Sequence, residues 1–227
     1  MASPVVAIDG PAGSGKSTTA QAVAERLGLP HLESGALYRA LTLAALDRET
    51  PFEGQRLVGL ARSLPVRLAL IGEQFTPEVA GIDVSGPIRS ERVTSEVSRL
   101  AAIAEVRAWA NAELREAVRR HPKGAVLDGR DMGTVVFPDA AVKVFLTATP
   151  EERARRRLRQ EGRGSDTGAI RAETEVLRAR DHADSTRAVA PLRRAEDAVL
   201  LDTTGMPFAE QVERIVGLAR EPLRRGS

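Results

Sequence analysis

Short apolar runs alternate along the chain with longer segments whose apolar residues recur every three or four positions. Apolar runs bounded by turn residues are typical of buried strands, and they occupy residues 5–8, 125–127, 142–147 and 199–201. Helical spacing covers residues 16–27, 34–47, 54–62, 88–119, 168–183 and 207–220, and a further helix begins at Pro150. Strands that alternate with helices predict an α/β fold, with a mainly parallel sheet covered on both faces.

Residues 63–86 interrupt this alternation. Residues 66–70 alternate between apolar and polar positions, and shorter strand-like pieces follow near 75–79 and 82–84. The segment is divided by turn-forming residues, namely Gly72, Pro77, Gly81 and Gly86. Turn residues at this spacing predict a small antiparallel β insertion.

Length and composition favour a folded chain. The 227 residues suit one core with an insertion better than two full domains, and 42% hydrophobic residues allow a sizeable core. The absence of cysteine excludes disulfides, thiolate metal sites and cysteine nucleophiles. No apolar run approaches the roughly 18 residues of a membrane span, and the first residues lack the pattern of a secretory signal. We therefore expect a cytoplasmic protein without a membrane partner.

Charge is nearly balanced overall but uneven along the chain. The net charge is only +2, which is not the charge of a nucleic-acid coat, and 30 of the 33 basic residues are arginine. Six arginines follow Glu151 as far as position 163: Arg153, Arg155, Arg156, Arg157, Arg159 and Arg163. Such a helix could be a solvated face, a nucleic-acid patch or a cover over a bound phosphate.

A phosphate-binding loop follows the first strand. Residues 10–17 fit the pattern G-x-x-x-x-G-K-[ST], and the preceding strand and following helix are the context that this pattern requires. Backbone N–H groups and the helix N-terminus would hold phosphate oxygens, Lys16 would reach the β and γ phosphates, and Ser17 would bind Mg²⁺. We expect ATP to contact Gly10, Pro11, Ala12, Gly13, Ser14, Gly15, Lys16, Ser17 and Thr18.

Three further segments combine arginines with carboxylates. Ser34 to Arg39 opens the second helix, DGRDMG begins at Asp128 after a buried strand, and Arg180, Asp181, Asp184 and Arg187 share one helix. Carboxylates at the end of a parallel strand lie where open α/β sheets bind ligands. Asp128 is therefore our candidate for the water shell of the magnesium ion, with a purely structural role as the alternative. For Asp131 the simpler alternative is an ion pair with Arg130. We expect His31, His121 and His182 to be structural or surface residues.

These segments together resemble the bacterial cytidylate kinase family over nearly the whole chain. The resemblance rests on residues 8–18, on SGALYR at 34–39, on DVSGPIR at 83–89, on DGRDMGTVVFP at 128–138 and on the late pattern formed by Arg180, Asp181, Asp184, Arg187, Pro191, Leu192 and Asp197. It implies a P-loop NTPase-type sheet flanked by helices, with a helical lid, and transfer of phosphate from ATP to CMP or dCMP.

The resemblance also implies residue roles. Arg39 and Arg130 would hold the CMP phosphate, and Ser98, Arg107 and Asp131 would read the cytosine edge. Ser34, Arg180, Asp184 and Arg187 would reach the sugar and nearby phosphate, and Tyr38 would line the acceptor site. Arg153 and Arg157 would belong to the lid over ATP and, with Lys16 and Arg130, would act in catalysis.

The implied organisation has a core, an insertion and a lid. The core comprises residues 1–62, 87–150 and 169–227, the inserted β module of the monophosphate-binding region comprises 63–86, and the arginine-rich lid comprises 151–168. We expect a monomer that binds ATP and CMP or dCMP and no nucleic acid. The alternatives are a P-loop kinase of UMP, AMP or a coenzyme precursor, and a nucleotide-switched RNA-binding protein.

Overall fold

A computed structural model describes residues 4–121 and 123–226, with side chains described as far as residue 220. The strands are β1 Val5–Asp9, β2 His31–Glu33, β3 Val66–Ile71, β4 Gln74–Val79, β5 Ile82–Asp83, β6 Ala125–Gly129, β7 Val142–Thr147 and β8 Val199–Asp202. The helices are α1 Lys16–Leu27, α2 Ser34–Asp47, α3 Gly54–Ser63, α4 Glu91–Ala101, α5 Ala104–Arg119, α6 Pro150–Gln160, α7 Thr167–Thr186 and α8 Phe208–Gly226.

All eight strands form one mixed sheet in the order β3-β4-β2-β6-β1-β7-β8, with β5 paired to β4. The strands β2, β6, β1, β7 and β8 run parallel, whereas β3 and β5 are antiparallel to β4. The predicted fold class is therefore confirmed. The three strands of the insertion extend the main sheet through a parallel pairing of β4 with β2 at His31 and Gln74.

Helices cover both faces of the sheet because its central strands bury side chains on both sides. Val5 and Ala7 of β1 belong to the cluster beneath α2–α5, and Val6 and Ile8 belong to the cluster beneath α1 and α8. Alternate residues of a strand point to opposite faces, so one strand contributes to both layers. The carboxyl ends of β1, β2 and β6 are thereby fixed side by side. No helix in the described part of the chain is long and apolar enough to cross a membrane.

Two parts of the expected pattern differ from the structure. The segment 88–119 is not one helix: a 3-10 turn at Pro87–Arg89 precedes α4, and extended backbone at Ile103 separates α4 from α5. This break leaves the last carbonyls of α4 without helical partners, and Arg107 of α5 donates to the Ala101 oxygen at 3.0 Å. The strand β2 was not predicted, because three residues are too few to show a period.

Candidate active site

One cavity of about 900 Å³ opens at the carboxyl ends of the central strands. The phosphate loop lines one half of it, and α2, α4 and α7 line the other. Ten residues expected from the resemblance at the acceptor site all contribute to its wall: Ser34, Tyr38, Arg39, Ser98, Arg107, Arg130, Asp131, Arg180, Asp184 and Arg187. No residue of 63–86 lines it, although the segment that follows supplies Arg89 and Thr94. The fold thus gathers residues that are up to about 150 positions apart into one site.

The phosphate loop joins β1 to α1. Its first glycine, Gly10, approaches β7 so closely that a Cβ there would overlap the carbonyl oxygen of Leu146. The loop ends in left-handed backbone at Gly15, after which α1 begins at Lys16. The Lys16 ammonium is buried and donates to the Pro11 carbonyl at 2.8 Å. Burial, helped by the nearby Arg130 charge, lowers the pKa of Lys16 to about 7, so an anion in the loop would relieve an unfavourable environment.

An oxygen-rich corner lies beside the start of α1. The Ser17 hydroxyl donates to Asp128 Oδ2 at 2.7 Å, and His31 Nε2 lies 2.8 Å from Asp128 Oδ1. Burial alone would raise the pKa of Asp128, but its hydrogen bonds with His31 and Ser17 lower it. A buried carboxylate kept ionised next to a hydroxyl is an oxygen donor set that suits Mg²⁺.

His31 was not recognised as a site residue from sequence. We expected it to be structural or at the surface. It lies buried as the first residue of β2, against Asp128 near the carboxyl end of β6, which agrees with a structural role. No signal in the chain pointed to this pair, because the two residues are 97 positions apart and β2 itself was not predicted. In the described residues no group of three or more His, Asp or Glu side chains could hold a metal. Substrate phosphates and water would have to complete the coordination of Mg²⁺.

Guanidinium groups converge in the other half of the cavity. Arg39 donates to Ile88 O at 3.1 Å and to Thr94 Oγ1 at 2.9 Å, and Arg130 donates to Asp184 Oδ2 at 2.8 Å. The Nε of Arg180 is buried and finds no partner among the described residues. Burial, together with the charges of Arg130 and Arg39, lowers the pKa of Arg180 to about 10. Fixed cations that repel one another in a partly buried site form a binding site for an anion.

A second polar cluster lies deeper in the same half. The fully buried Arg107 pairs with Asp131, and Arg187 Nη2 lies 3.8 Å from the same carboxylate. The Arg107 guanidinium also lies over the Tyr38 ring, 5.3 Å from its centre. Asp131 is therefore not paired with Arg130, which was the simpler alternative. This cluster can offer a hydrogen-bond acceptor and donors side by side to a planar ligand.

Asp9 supports this cluster from below, a role that sequence reasoning missed. Its carboxylate accepts the N–H groups of Met132 at 2.9 Å and of Gly133 at 2.7 Å, directly after Asp131. Burial raises the pKa of Asp9 to about 6, although both backbone hydrogen bonds oppose the rise.

We expect Asp9 to make the stability of the protein depend on pH. Because the pKa of Asp9 in the folded chain lies above the unfolded value of 3.8, the folded state stays protonated up to a higher pH than the unfolded state. Its contribution is complete below pH 3.8 and is lost as pH rises through about 6. With a pKa of about 6 in the folded chain against 3.8 in the unfolded one, the free energy of unfolding of the wild type should fall by roughly 2 kcal/mol relative to Asp9→Asn between pH 4 and 7. Denaturant titrations at each pH measure this difference, and parallel curves for the two proteins would contradict it.

The arginine-rich helix α6 contributes only some of its arginines to the cavity. Arg157 lines it as expected, and so do Arg156 and Arg159, which we had not singled out. Arg156 donates to Thr203 O at 2.7 Å and to Ser14 O at 3.3 Å. Arg153 is not brought to the cavity, because its buried guanidinium bonds to Asp181 and to the Ala12 carbonyl behind the loop.

A phosphate loop that faces a second, arginine-lined anion site across one cavity defines a P-loop phosphotransferase acting on a small phosphorylated acceptor. Comparison with known proteins narrows this class. A family model described as cytidylate kinase matches residues 6–221. The chain belongs to the cytidylate kinase family and is a nucleoside monophosphate kinase.

Individual relatives agree with this assignment. The chain is 46% identical over 222 residues to the cytidylate kinase of Aeromonas salmonicida, which covers 97% of this chain and 95% of that protein. It is also 46% identical to the cytidylate kinase of Shouchella clausii, with 97% of both chains covered. A crystal structure of an uncharacterized protein from Eubacterium ventriosum is similar in fold alone, with a TM-score of 0.53, 10% identity and coverage of 96% and 99%.

Proposed function

We propose that the protein transfers the γ-phosphoryl group of ATP directly to the phosphate of CMP or dCMP, giving ADP and CDP or dCDP. The observation that carries this proposal is the pair of anion sites in one cavity. The phosphate loop with Lys16 forms one, and Arg39, Arg130 and Arg180 form the other. Two such sites facing each other suit a donor and an acceptor that both bear phosphate.

Charge neutralisation is the main task of these residues. ATP carries about four negative charges and a nucleoside monophosphate nearly two, since its second pKa is about 6. The arginines can bind phosphate oxygens in pairs through their planar groups, and Lys16 adds a point charge at the loop. The acceptor oxygen is already ionised near neutral pH, so no general base is needed. In-line positioning and stabilisation of the spreading charge account for catalysis.

We propose Mg²⁺ as the accompanying ion, bound by the Ser17 hydroxyl and, through water, by Asp128. Both groups supply oxygen, and the 2.7 Å hydrogen bond between them shows that they reach the same point. When bound, the ion would neutralise part of the charge on the donor phosphates. His31 holds the other oxygen of Asp128 and so limits the rotation of that carboxylate.

The base would be read by the buried pair of Arg107 and Asp131, together with the half-buried Ser98 in the cavity wall. A carboxylate accepts the amino group at position 4 of cytosine and repels the carbonyl that uracil has there. Arg107 can donate to the ring carbonyl and ring nitrogen of cytosine. Ser34, Arg180, Asp184 and Arg187 would contact the sugar and the nearby phosphate, and Tyr38 would line the acceptor site.

If residues 151–168 close over ATP, the part that moves would be the C-terminal end of this segment. Arg153 and Ala154 in the first turns of α6 are buried, whereas residues 161–168 are all exposed. Arg157 and Arg159 then lie between the anchored start and the exposed end and can reach the donor. The inserted module at 63–86 and the monomeric state stay predictions.

The arginine run is unsuited to RNA because most of its charge is already paired. Arg156 pairs with Glu152 at 2.9 Å, and Arg157 with Glu161 at 3.0 Å and with Glu173 at 3.1 Å. Such pairs compete with phosphate contacts that would otherwise release counterions. This observation favours a kinase without a nucleic-acid partner over a nucleotide-switched RNA-binding protein.

Initial rates with ATP and a panel of acceptors test the proposal. CMP and dCMP should be phosphorylated, and UMP should have a kcat/KM at least tenfold lower than CMP, because each buried polar mismatch costs about 1–3 kcal/mol. AMP should be poorer still, since a purine does not fit the same edge contacts. Equal or higher kcat/KM for UMP or AMP would favour the alternative small-acceptor kinases. ATP hydrolysis without transfer, together with tight RNA retention on a filter, would favour the RNA-binding alternative.

A further inference from the structure

The peptide groups of Ala12 in the phosphate loop are held from outside the loop on both sides. The Ala12 N–H donates to Asp181 Oδ1 of α7 at 3.0 Å, and Arg153 Nη1 of α6 donates to the Ala12 carbonyl at 2.9 Å. Arg153 and Asp181 also form an ion pair with each other. Ala12, Arg153 and Asp181 thus form a closed cluster, which we call the loop clamp.

Apolar packing reinforces the loop clamp. Ala12, Ala154 and Leu177 form a small buried cluster with Ile170 against it, separate from the two large cores. The loop also lies directly on α6, since a Cβ on Gly13 would stand 3.2 Å from the carbonyl oxygen of Arg153. The backbone of Gly13 is left-handed there, with φ at 72°. At Ala12 and Gly13 the loop therefore rests on the α6–α7 pair.

The two side chains that hold Ala12 lie outside the cavity wall. Neither Arg153 nor Asp181 lines it, whereas Arg180 and Asp184 on the same helix do. Asp181 therefore follows the acceptor-site residue Arg180 in the sequence, but it makes its hydrogen bonds with the phosphate loop on the donor side. Chain order alone would assign Asp181 to the acceptor, and the geometry assigns it to the phosphate loop.

We propose that Asp181 and Arg153 are positioning residues that keep the phosphate loop in its anion-binding shape and so determine affinity for the donor triphosphate and not for the acceptor. A loop that includes Gly10, Gly13 and Gly15 loses much conformational freedom when it is ordered. If the loop clamp orders the phosphate loop before the donor binds, the loss of loop entropy lowers the free energy of unfolding and does not weaken donor binding. Removing the clamp transfers the cost to donor binding, while the acceptor half stays formed.

Calorimetric titrations of the full chain test this directly, with the β,γ-imido analogue of ATP and MgCl₂ as the donor probe and CMP alone as the acceptor probe. Asp181→Ala and Arg153→Gln should each raise the Kd of the analogue tenfold or more, and each should change the Kd of CMP less than threefold. Asp181→Asn keeps an oxygen for the Ala12 N–H and should weaken the analogue less than Asp181→Ala. Glu175→Ala is the matched control, because Glu175 is an exposed residue of α7 away from the clamp, and it should change neither Kd.

A double variant separates positioning from general destabilisation. Because Asp181 and Arg153 act on the same residue, Ala12, and pair with each other, Asp181→Ala with Arg153→Gln should weaken the analogue no more than about twofold beyond the stronger single variant. The proposal would be overturned if the two effects multiplied, if both ligands weakened equally, or if the analogue changed less than threefold. If Asp181→Ala did not fold, the comparison of Asp181→Asn with Arg153→Gln would decide by the same criteria. The inference rests on the proposed function for its acceptor, and the wild-type CMP titration tests that part on its own.

Discussion

Lys16→Ala should lower kcat by about 10²–10³-fold, the usual cost of one lost electrostatic donor to a transition state. The Kd of CMP should change less than threefold, because Lys16 belongs to the phosphate loop and not to the acceptor half of the cavity. The ammonium lies at the start of α1, where charge moves during transfer, and burial depresses its pKa to about 7. A phosphate anion beside the ammonium favours its charged form. This interaction becomes stronger as negative charge develops in the transition state, so its loss lowers kcat.

Steady-state kinetics with CMP measure this effect. Lys143→Ala is the matched control, since that lysine pairs with Asp197 at 2.7 Å away from the cavity, and it should keep near wild-type turnover. Near-normal kcat for Lys16→Ala would contradict the assignment of the loop as the donor site.

Asp131→Asn should reduce the preference for CMP over UMP at least tenfold, mainly through a lower kcat/KM for CMP. The substitution replaces an acceptor that matches the cytosine amino group with an amide that can turn to suit either base. Asparagine is chosen because its amide oxygen can still accept a hydrogen bond from Arg107. Alanine would remove the acceptor as well as the charge, and breaking a buried pair in this way costs about 3–5 kcal/mol of stability. The CMP and UMP kcat/KM values of wild type and variant give the ratio, and a ratio that does not change would remove Asp131 from base reading.

Arg107→Met is a second probe of the same cluster. It removes the donor to the ring carbonyl and leaves Asp131 without its main partner, so both kcat/KM and stability should fall. Thermal unfolding measures the loss of stability, and the ratio of CMP to UMP kcat/KM measures base reading. A lower ratio would show that Arg107 reads the base, and an unchanged ratio with a lower unfolding temperature would leave it a structural role only.

The main elements and the acceptor-site residues could be predicted because their signals are local. Helix α1 begins and ends where the glycine loop, Gly28 and Pro30 require it, and α2 follows its apolar period from Ser34 to Asp47. The motif residues sit at strand ends, and a parallel sheet brings strand ends together whatever their separation along the chain. For this reason ten residues expected at the acceptor site line one cavity.

Partners in long-range polar pairs could not be predicted. The contacts of Asp9 with Met132 and Gly133, and of His31 with Asp128, join positions 97 to 124 residues apart and leave no periodic pattern in the sequence. Arg153 and Arg157 look equivalent in the sequence because they lie one turn apart on the same helix face. Only the position of Asp181 on α7 explains why Arg153 turns behind the loop while Arg157 faces the cavity.

The central claim is direct phosphoryl transfer between the two halves of one cavity. Incubating the protein with ATP labelled in its γ-phosphate, MgCl₂ and CMP, and separating the products, tests it most directly. Label should appear in CDP in equal amount to the ADP formed, with little labelled inorganic phosphate. Over the same initial period Lys16→Ala should form at least about 100-fold less labelled CDP than the wild type. Label that collected in inorganic phosphate or on the protein, with no labelled CDP, would contradict it.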